Sequence, residues 1–365
     1  MKDIVLAFLS AFSIVLMGTP VLIKVAKLKH LVDEPGEERK LHHKSIPTLG
    51  GILIFASTII TYCLWFPARE SWQLGTNYNP LEALNEFKYV LASMFILFFI
   101  GLKDDIIGLD PMKKLIVHLF IGFILVVSAD IRLTEFWGLF EVDKLPYSVS
   151  VLLSIFIYIV IVNAINLIDG VDGLAGGVGL IGSLTFTYWF YRSGDLPLAL
   201  LATGLAGSLF GFLIFNFHPA RIFMGDSGSL IIGVTMYVLA MKMIEFPPAK
   251  LSMALQDVSK PVLAMAILAY PLIDTLRVFT IRILRGRSPF SADKNHIHHR
   301  LLALGLSHAQ VSSIVYSYSI FVIGLTFLTP ARTPNISFVI VGSVALALAY
   351  IPFLIPVKKK LVKAG

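Results

Sequence analysis

Apolar runs of about twenty residues recur along almost the whole chain, beginning near Ile4, Gly50, Tyr89, Leu115, Val149, Leu174, Leu196, Ser227, Pro261, Ala309 and Ile336. Coiled as an α-helix, a run of that length matches the hydrocarbon thickness of a bilayer. Inside lipid no water satisfies the backbone, so each spanning segment must close its own hydrogen bonds. An all-α polytopic integral membrane bundle of about eleven transmembrane helices is expected. Ten is the alternative, because the fourth run is short and interrupted by His118 and the sixth is glycine-rich.

Composition agrees: 56% of the 365 residues are hydrophobic and 15% charged, with a mean hydropathy of +0.81. A soluble domain carries about 25% charged residues. No linker, low-complexity tract or internal repeat divides the chain, so residues 1–365 read as a single membrane domain. The N-terminal MKDIVLAFLSAFSIVLMGTPVLI starts like a signal peptide, but its apolar stretch is too long and no A-x-A site follows; it reads as the first span. Cys63 is the only cysteine, which excludes an intramolecular disulfide and a cysteine zinc site.

The net charge of +7 is not a nucleic-acid footprint, because the basic residues sit in short loops between spans. With eleven spans and the N-terminus outside, nineteen Lys and Arg residues fall on the inner side and nine on the outer, while Lys242 and Arg277 lie within spans. The positive-inside rule then puts the C-terminal VKKKLVKAG in the cytoplasm, and the inner (plasma) membrane is the expected location. The polar clusters that interrupt the apolar chain all fall on that same cytoplasmic side.

Asp104 and Asp105 close the third span in GLKDDIIGLDPMKK. Adjacent carboxylates repel unless a cation sits nearby, and a hard divalent ion with oxygen ligands is one remedy. Two solvated acids beside Lys103 and Lys113 is the other reading. In NAINLIDGVDGLAGG, Asn163, Asn166, Asp169 and Asp172 recur every three residues, a drifting stripe at the end of the fifth span. Gly170 and Gly173 then open the backbone to a ligand. FNFHPARIFMGDSGSL sets Asn216 ten residues before Asp226, which serves either as a site acid or as a helix cap together with Ser227. Phe223 beside it would stack on a base or anchor at the interface. In SADKNHIHHRLL, His296, His298 and His299 precede Arg300 without the acid of an HExxH zinc motif, so an anion or sugar contact suits them better than zinc. The first inner loop brings Lys40, His42, His43 and Lys44 to the second span, as plain positive-inside bias also would.

Together KDDIIGLDPMKK, NAINLIDGVDGLAGG, FMGDSGSL and ADKNHIHHRLL, with IPTLGG before them, strongly resemble the polyprenyl-phosphate N-acetylhexosamine-1-phosphate transferases (glycosyltransferase family 4). The match runs in the family's order from Ile46 to Leu302. The His-x-His-His form followed by Arg300 is similar to the branch that uses UDP-N-acetylglucosamine. Ile297 breaks the three adjacent histidines usual in the peptidoglycan branch, and eleven spans exceed its usual ten or so.

The resemblance implies transfer of N-acetylglucosamine 1-phosphate from UDP-N-acetylglucosamine (UDP-GlcNAc) to undecaprenyl phosphate, leaving a lipid pyrophosphate and UMP. The same chemistry with another UDP-N-acetylhexosamine, such as UDP-MurNAc-pentapeptide, is the alternative. It implies Mg²⁺, or Mn²⁺, on Asp226 and Asp105, with Asp104 and Asp105 near the reacting phosphates. Asn163, Asn166, Asp169 and Asp172 would lie in the nucleotide-sugar site, and Asn216 and Phe223 close to uridine. His296, His298, His299 and Arg300 would contact sugar or pyrophosphate, with Lys44 and Lys114 as weaker anion contacts. A homodimer is left open. Two other classes fit less well. A CDP-alcohol phosphotransferase needs an Ala-Arg and further spaced aspartates that DGVDGLAGG lacks. A cation-coupled transporter expects midplane charges and inverted repeats.

Overall fold

The computed structural model describes residues 1–29, 31–33, 46–66, 79–142, 144–286, 295–329 and 333–356. It is nearly all helix. The order is α1 (Lys2–Leu28), a two-stranded ribbon β1 (Val32–Asp33) and β2 (Ile46–Pro47), α2 (Gly50–Trp65), α3 (Pro80–Ile107) and α4 (Pro111–Phe123), which continues as a π turn to Ser128. Then come α5 (Tyr147–Leu167), α6 (Leu174–Ser193), α7 (Leu196–Asn216) and α8 (Asp226–Ile244). The last are the short α9 (Met253–Gln256), α10 (Lys260–Ile267), α11 (Ala269–Leu284), α12 (Ile297–Ala303), α13 (His308–Thr326) and α14 (Pro334–Leu354).

All eleven expected starts fall inside helices. Among the described residues, seven helices are long and apolar enough to cross a membrane, or eight if the bent pair α10–α11 counts as one span. The three others are α2 with 16 residues, the polar-ended α3 and the glycine-rich α6. Starts follow local chemistry: Asn79 caps α3 and Asp110 caps α4, each followed by a proline whose missing N–H is not needed in a first turn. Ser307 and Gln310 form a reciprocal capping box on α13.

Burial sorts the helices. Of the most apolar 18-residue stretch of α8, 94% lies inside the protein, against 22% of that of α1. Leu152, Phe156, Phe99 and Leu346 are exposed on the outer helices, as a lipid-facing surface requires. The helix α7 packs against α1, α2 and α6. Small polar residues tie α2 to it: Ser57 Oγ lies 2.6 Å and Thr58 Oγ1 3.1 Å from Ser208 Oγ.

Two details of this frame position the site. First, α10 and α11 meet at a 71° bend. Pro271, in the first turn of α11, has no N–H for the Ile267 carbonyl, and a helix interrupted this way kinks. Second, α2 and α3 approach the start of α8 at glycines. A Cβ on Gly51 would lie 2.2 Å from the Gly228 nitrogen, and one on Gly101 2.6 Å from the Ser227 Cα. Both obstacles are backbone and cannot rotate away.

Gly51→Ala is therefore expected to destabilise the folded protein by about 1–3 kcal/mol through overpacking. Gly342→Ala on α14, where an added Cβ meets nothing within 4 Å, should be neutral or slightly stabilising. Thermal unfolding of the detergent-solubilised pair checks this; equal Tm values would contradict it.

Candidate active site

The site is assembled at helix ends. Asp105, in the last turn of α3, points at the first turn of α8. Its Oδ1 accepts from the Asp226 N–H (2.6 Å), and its Oδ2 from the Ser227 N–H (3.1 Å) and the Ser227 hydroxyl (2.7 Å). A carboxylate here satisfies N–H groups that the helix cannot, and it meets the positive end of the helix dipole. Asp105 was expected as a metal ligand. Both its oxygens also cap α8.

That cap presents Asp226, the first residue of α8, toward Lys114 and Asn166. The Lys114 ammonium binds Asp226 Oδ2 and lies 3.2 Å from Asp104 Oδ2, so one cation bridges two carboxylates from different helices. Asn166, near the end of α5, donates to Asp226 Oδ1 (2.7 Å) and to Ser229 Oγ (2.8 Å). The side chains of Asp104, Asp226 and Lys114 keep 20%, 25% and 17% of their surface accessible, enough to admit a ligand. A divalent ion suits this donor set: Asp104 and Asp226 are hard oxygen ligands that already hold one cation between them, and Mg²⁺ binds through one or two carboxylates with substrate phosphates completing its shell.

The second part is the loop 168–173, which leaves α5 and enters α6. On one side Asn216 Oδ1 accepts from the Gly173 N–H (3.0 Å), while its amide donates to the Ile222 carbonyl (2.9 Å). Asp172 Oδ2 lies 2.7 Å from His218 Nδ1 and accepts from the Ala220 N–H. From the other side, α13 contacts the loop at every fourth residue. His308 Nδ1 lies 3.3 Å from Asp172 Oδ1, the Ser312 hydroxyl donates to the Asp172 carbonyl (2.8 Å), and the Tyr316 hydroxyl donates to the Gly173 carbonyl (2.5 Å). Burial works against the Asp172 charge, but the bonds from His308 and His218 hold its carboxyl below the usual range. Asp169 has no such support. Burial, with the negative charges of Asp226, Asp105 and Asp172, pushes it well above the usual range.

The third part is the histidine motif. His296 and His298 stack with ring centroids 5.2 Å apart, and His299 lies 4.4 Å from His298. His298 Nε2 would sit 3.2 Å from a Cβ on Gly170, so this ring rests on the loop that carries Asp169. Burial pulls His298 down to about 3, with Asp274 opposing that fall and the other histidines adding to it.

Other expected residues are engaged elsewhere. The Asn163 amide bonds the Ile159 carbonyl of its own helix (2.7 Å). Arg300 donates to the Pro352 and Ile355 carbonyls (3.1 and 2.6 Å), which caps the C-terminal end of α14. The backbone of Phe223 pairs with Pro47 and Gly50, joining IPTLGG to FMGDSGSL (2.7 and 3.0 Å), while its side chain is half-buried. Lys44 lies outside the described residues. Residues that the sequence reading did not single out are Asp274, His218, His308, Ser312 and Tyr316. The last three share a spacing of four, a helix-face signal that was available.

The chain from 87 to 244 matches the family model described as glycosyl transferase family 4. A protein of Bacillus subtilis (strain 168), named a probable undecaprenyl-phosphate N-acetylglucosaminyl 1-phosphate transferase, is 32% identical over 324 residues, 87% of this chain and 82% of that one. The decaprenyl-phosphate N-acetylglucosaminephosphotransferase of Mycobacterium leprae (strain TN) is 31% identical, covering 87% of this chain and 81% of its own. The undecaprenyl-phosphate alpha-N-acetylglucosaminyl 1-phosphate transferase of Yersinia pestis is 27% identical, covering 86% and 80%.

The His298 environment predicts a stability profile. Its folded value of about 3 lies below its ordinary value of 6.5. Below about 6.5 the unfolded chain binds a proton that the folded protein refuses, so stability falls as pH drops toward 3. The slope is at most about 1.4 kcal/mol per pH unit. His298→Gln should flatten the fall of Tm between pH 7 and pH 5; parallel profiles would contradict it.

Proposed function

This chain belongs to glycosyl transferase family 4, and on that premise we propose that it transfers N-acetylglucosamine 1-phosphate from UDP-GlcNAc to undecaprenyl phosphate. The products are undecaprenyl-pyrophosphoryl-N-acetylglucosamine and UMP, the first membrane step of a cell-envelope glycopolymer. The observation that carries the reading is the Asp104–Lys114–Asp226 cluster at the start of α8, beside Asn166 and the 168–173 loop. It gathers the charges that a pyrophosphate meeting a phosphate requires, and it gathers them where helices end.

In this reading an oxygen of the acceptor phosphate forms a new bond to the sugar-bearing phosphorus. The bond from that phosphorus to the bridging oxygen breaks, and UMP leaves with the electron pair. A phosphate monoester has its second pKa near 6, so the acceptor is mostly dianionic at neutral pH and hardly needs a base. Asp104 accordingly orients rather than deprotonates, in a single displacement. Asp226 and Asp104 would hold Mg²⁺ or Mn²⁺, which when bound offsets charge on the transferring phosphates. Asp105 holds the first turn of α8 in register. Lys114 stays within reach of the departing phosphate oxygens, a fixed cation where charge develops.

The donor would lie along the 168–173 loop, near Asn166, Asp169 and Asp172, with Asn216 and Phe223 toward the uridine. His296, His298 and His299 would face the sugar or its phosphates. The reading carries eleven spans in one domain, an outer N-terminus, a cytoplasmic C-terminus and a site facing the cytoplasm. The basic residue distribution supports that orientation.

Membranes containing the protein, given labelled UDP-GlcNAc and undecaprenyl phosphate, are expected to release UMP and make an organic-soluble product. Asp226→Asn should lose that activity at ordinary Mg²⁺, and a panel of UDP-sugars should single out UDP-GlcNAc. No UMP from any UDP-sugar would reject the reading. Unchanged activity and metal dependence in Asp226→Asn would remove it from the ligand set.

A further inference from the structure

Asp274 has no part in the chemistry described so far, yet it is one of the most deeply buried carboxyl groups in the protein. It lies within the apolar run PLIDTL of α11, one turn beyond the Pro271 bend, with no exposed surface. A buried carboxylate is costly unless donors converge on it. Two do, and both come from the histidine motif. The Ile297 N–H donates to Oδ1 (2.7 Å), and His296 Nδ1 lies 2.8 Å from Oδ2. His298 Nδ1 is farther, 3.9 Å from Oδ2, and makes no hydrogen bond. His296 is itself only 4% exposed, so its ring has little room to find another orientation.

We infer that Asp274 is a positioning residue for the transfer: it fixes the His296 ring, holds the proton at Nδ1 and so presents the Nε2 lone pair to a hydroxyl of the donor's sugar. An acceptor-only carboxylate selects the tautomer whose N–H faces it, and the opposite nitrogen is then defined for the substrate. The second bond, to the Ile297 N–H, fixes the entry to α12 and with it the seat of His298 on Gly170. A bent span thus sets the attitude of the histidine motif. The inference rests on the transferase reading above.

Asp274→Asn separates this role from a purely structural one. The Asn carbonyl can still accept from Ile297, while its amide would donate to His296 Nδ1 and drive the proton to Nε2. Steady-state assays with UDP-GlcNAc and undecaprenyl phosphate are expected to give a kcat lower by on the order of 10²-fold, with KM for UDP-GlcNAc little changed. His296→Gln should fall similarly, and the double variant should lose no more than His296→Gln alone. Long-range ¹H–¹⁵N correlation on histidine-labelled protein should find His296 protonated at Nδ1 in the wild type and at Nε2 in Asp274→Asn.

Full kcat in Asp274→Asn, or additive losses in the double variant, would overturn the inference. If Asp274→Asn fails to fold, His296→Gln still decides, because undiminished kcat there leaves Asp274 nothing to act through. The tautomer measurement needs no turnover. An inactive wild type with Nδ1 protonated would sink the transferase reading and not the pairing, whereas a proton at Nε2 in the wild type would sink the pairing itself.

Discussion

The bond set between Asp105 and the first turn of α8 is the constraint from which the site follows. A helix start buried in a membrane protein leaves N–H groups that neither water nor lipid can satisfy. Here the carboxylate closing one span satisfies two of them and a serine hydroxyl as well. The helix dipole favours that negative charge, and the bonds fix where α8 begins to within one residue. The glycines at 51 and 101 are the steric half of the same constraint, since any side chain there would collide with the capped turn. Asp226 then needs no separate device to aim it. It is the residue at which α8 starts, and its direction is that of the helix.

Around this fixed start two halves of the chain meet. The first half supplies Asp104, Asp105 and Lys114; the second supplies Asp226 and the histidine motif; Asn166 and the 168–173 loop lie between them. The loop is clamped on one flank by Asn216 and His218 and on the other by three side chains of α13. Such double support removes the freedom that glycine-rich loops otherwise carry. The geometry of the loop is thus set by its neighbours on both flanks rather than by its own sequence.

Much of this was legible in the residues because lipid enforces a strong pattern. Every apolar run became helix, although α3 and α4 start at Pro80 and Pro111, ahead of the apolar runs near Tyr89 and Leu115. The clustering of Asp104, Asp105, Asn166, Asp169, Asp172 and Asp226 was legible too, because polar side chains are expensive beside apolar runs and so stand out. What stayed hidden was which partner each polar group would take. Asn163 carries the same spacing signal as Asn166, but it sits one turn earlier and bonds its own helix. Arg300 follows the histidines in sequence, yet it reaches the carbonyls that end α14, a contact across 52 and 55 residues of chain. Asp274 lies in the apolar run that begins near Pro261, where a single acid in PLIDTL gives no periodic signal. Its partners become visible only once Pro271 has bent the helix.

The electrostatics of the cluster follow from the same placement at helix ends. In the proposed reading two anionic substrates approach a site that holds Asp104, Asp105, Asp169, Asp172 and Asp226, which would repel them if all five were free. They are not equally free. Asp105 is offset by the α8 N-terminus, Asp172 by two histidines, and Asp104 and Asp226 share the Lys114 ammonium. Burial favours the neutral form of Asp169. What remains for an incoming phosphate is one lysine between two carboxylates, an arrangement whose surplus negative charge a divalent ion can reverse. A site of this kind binds its anionic substrates only as strongly as it binds its cations, which is a physical reason for the carboxylates to outnumber the lysine that bridges them.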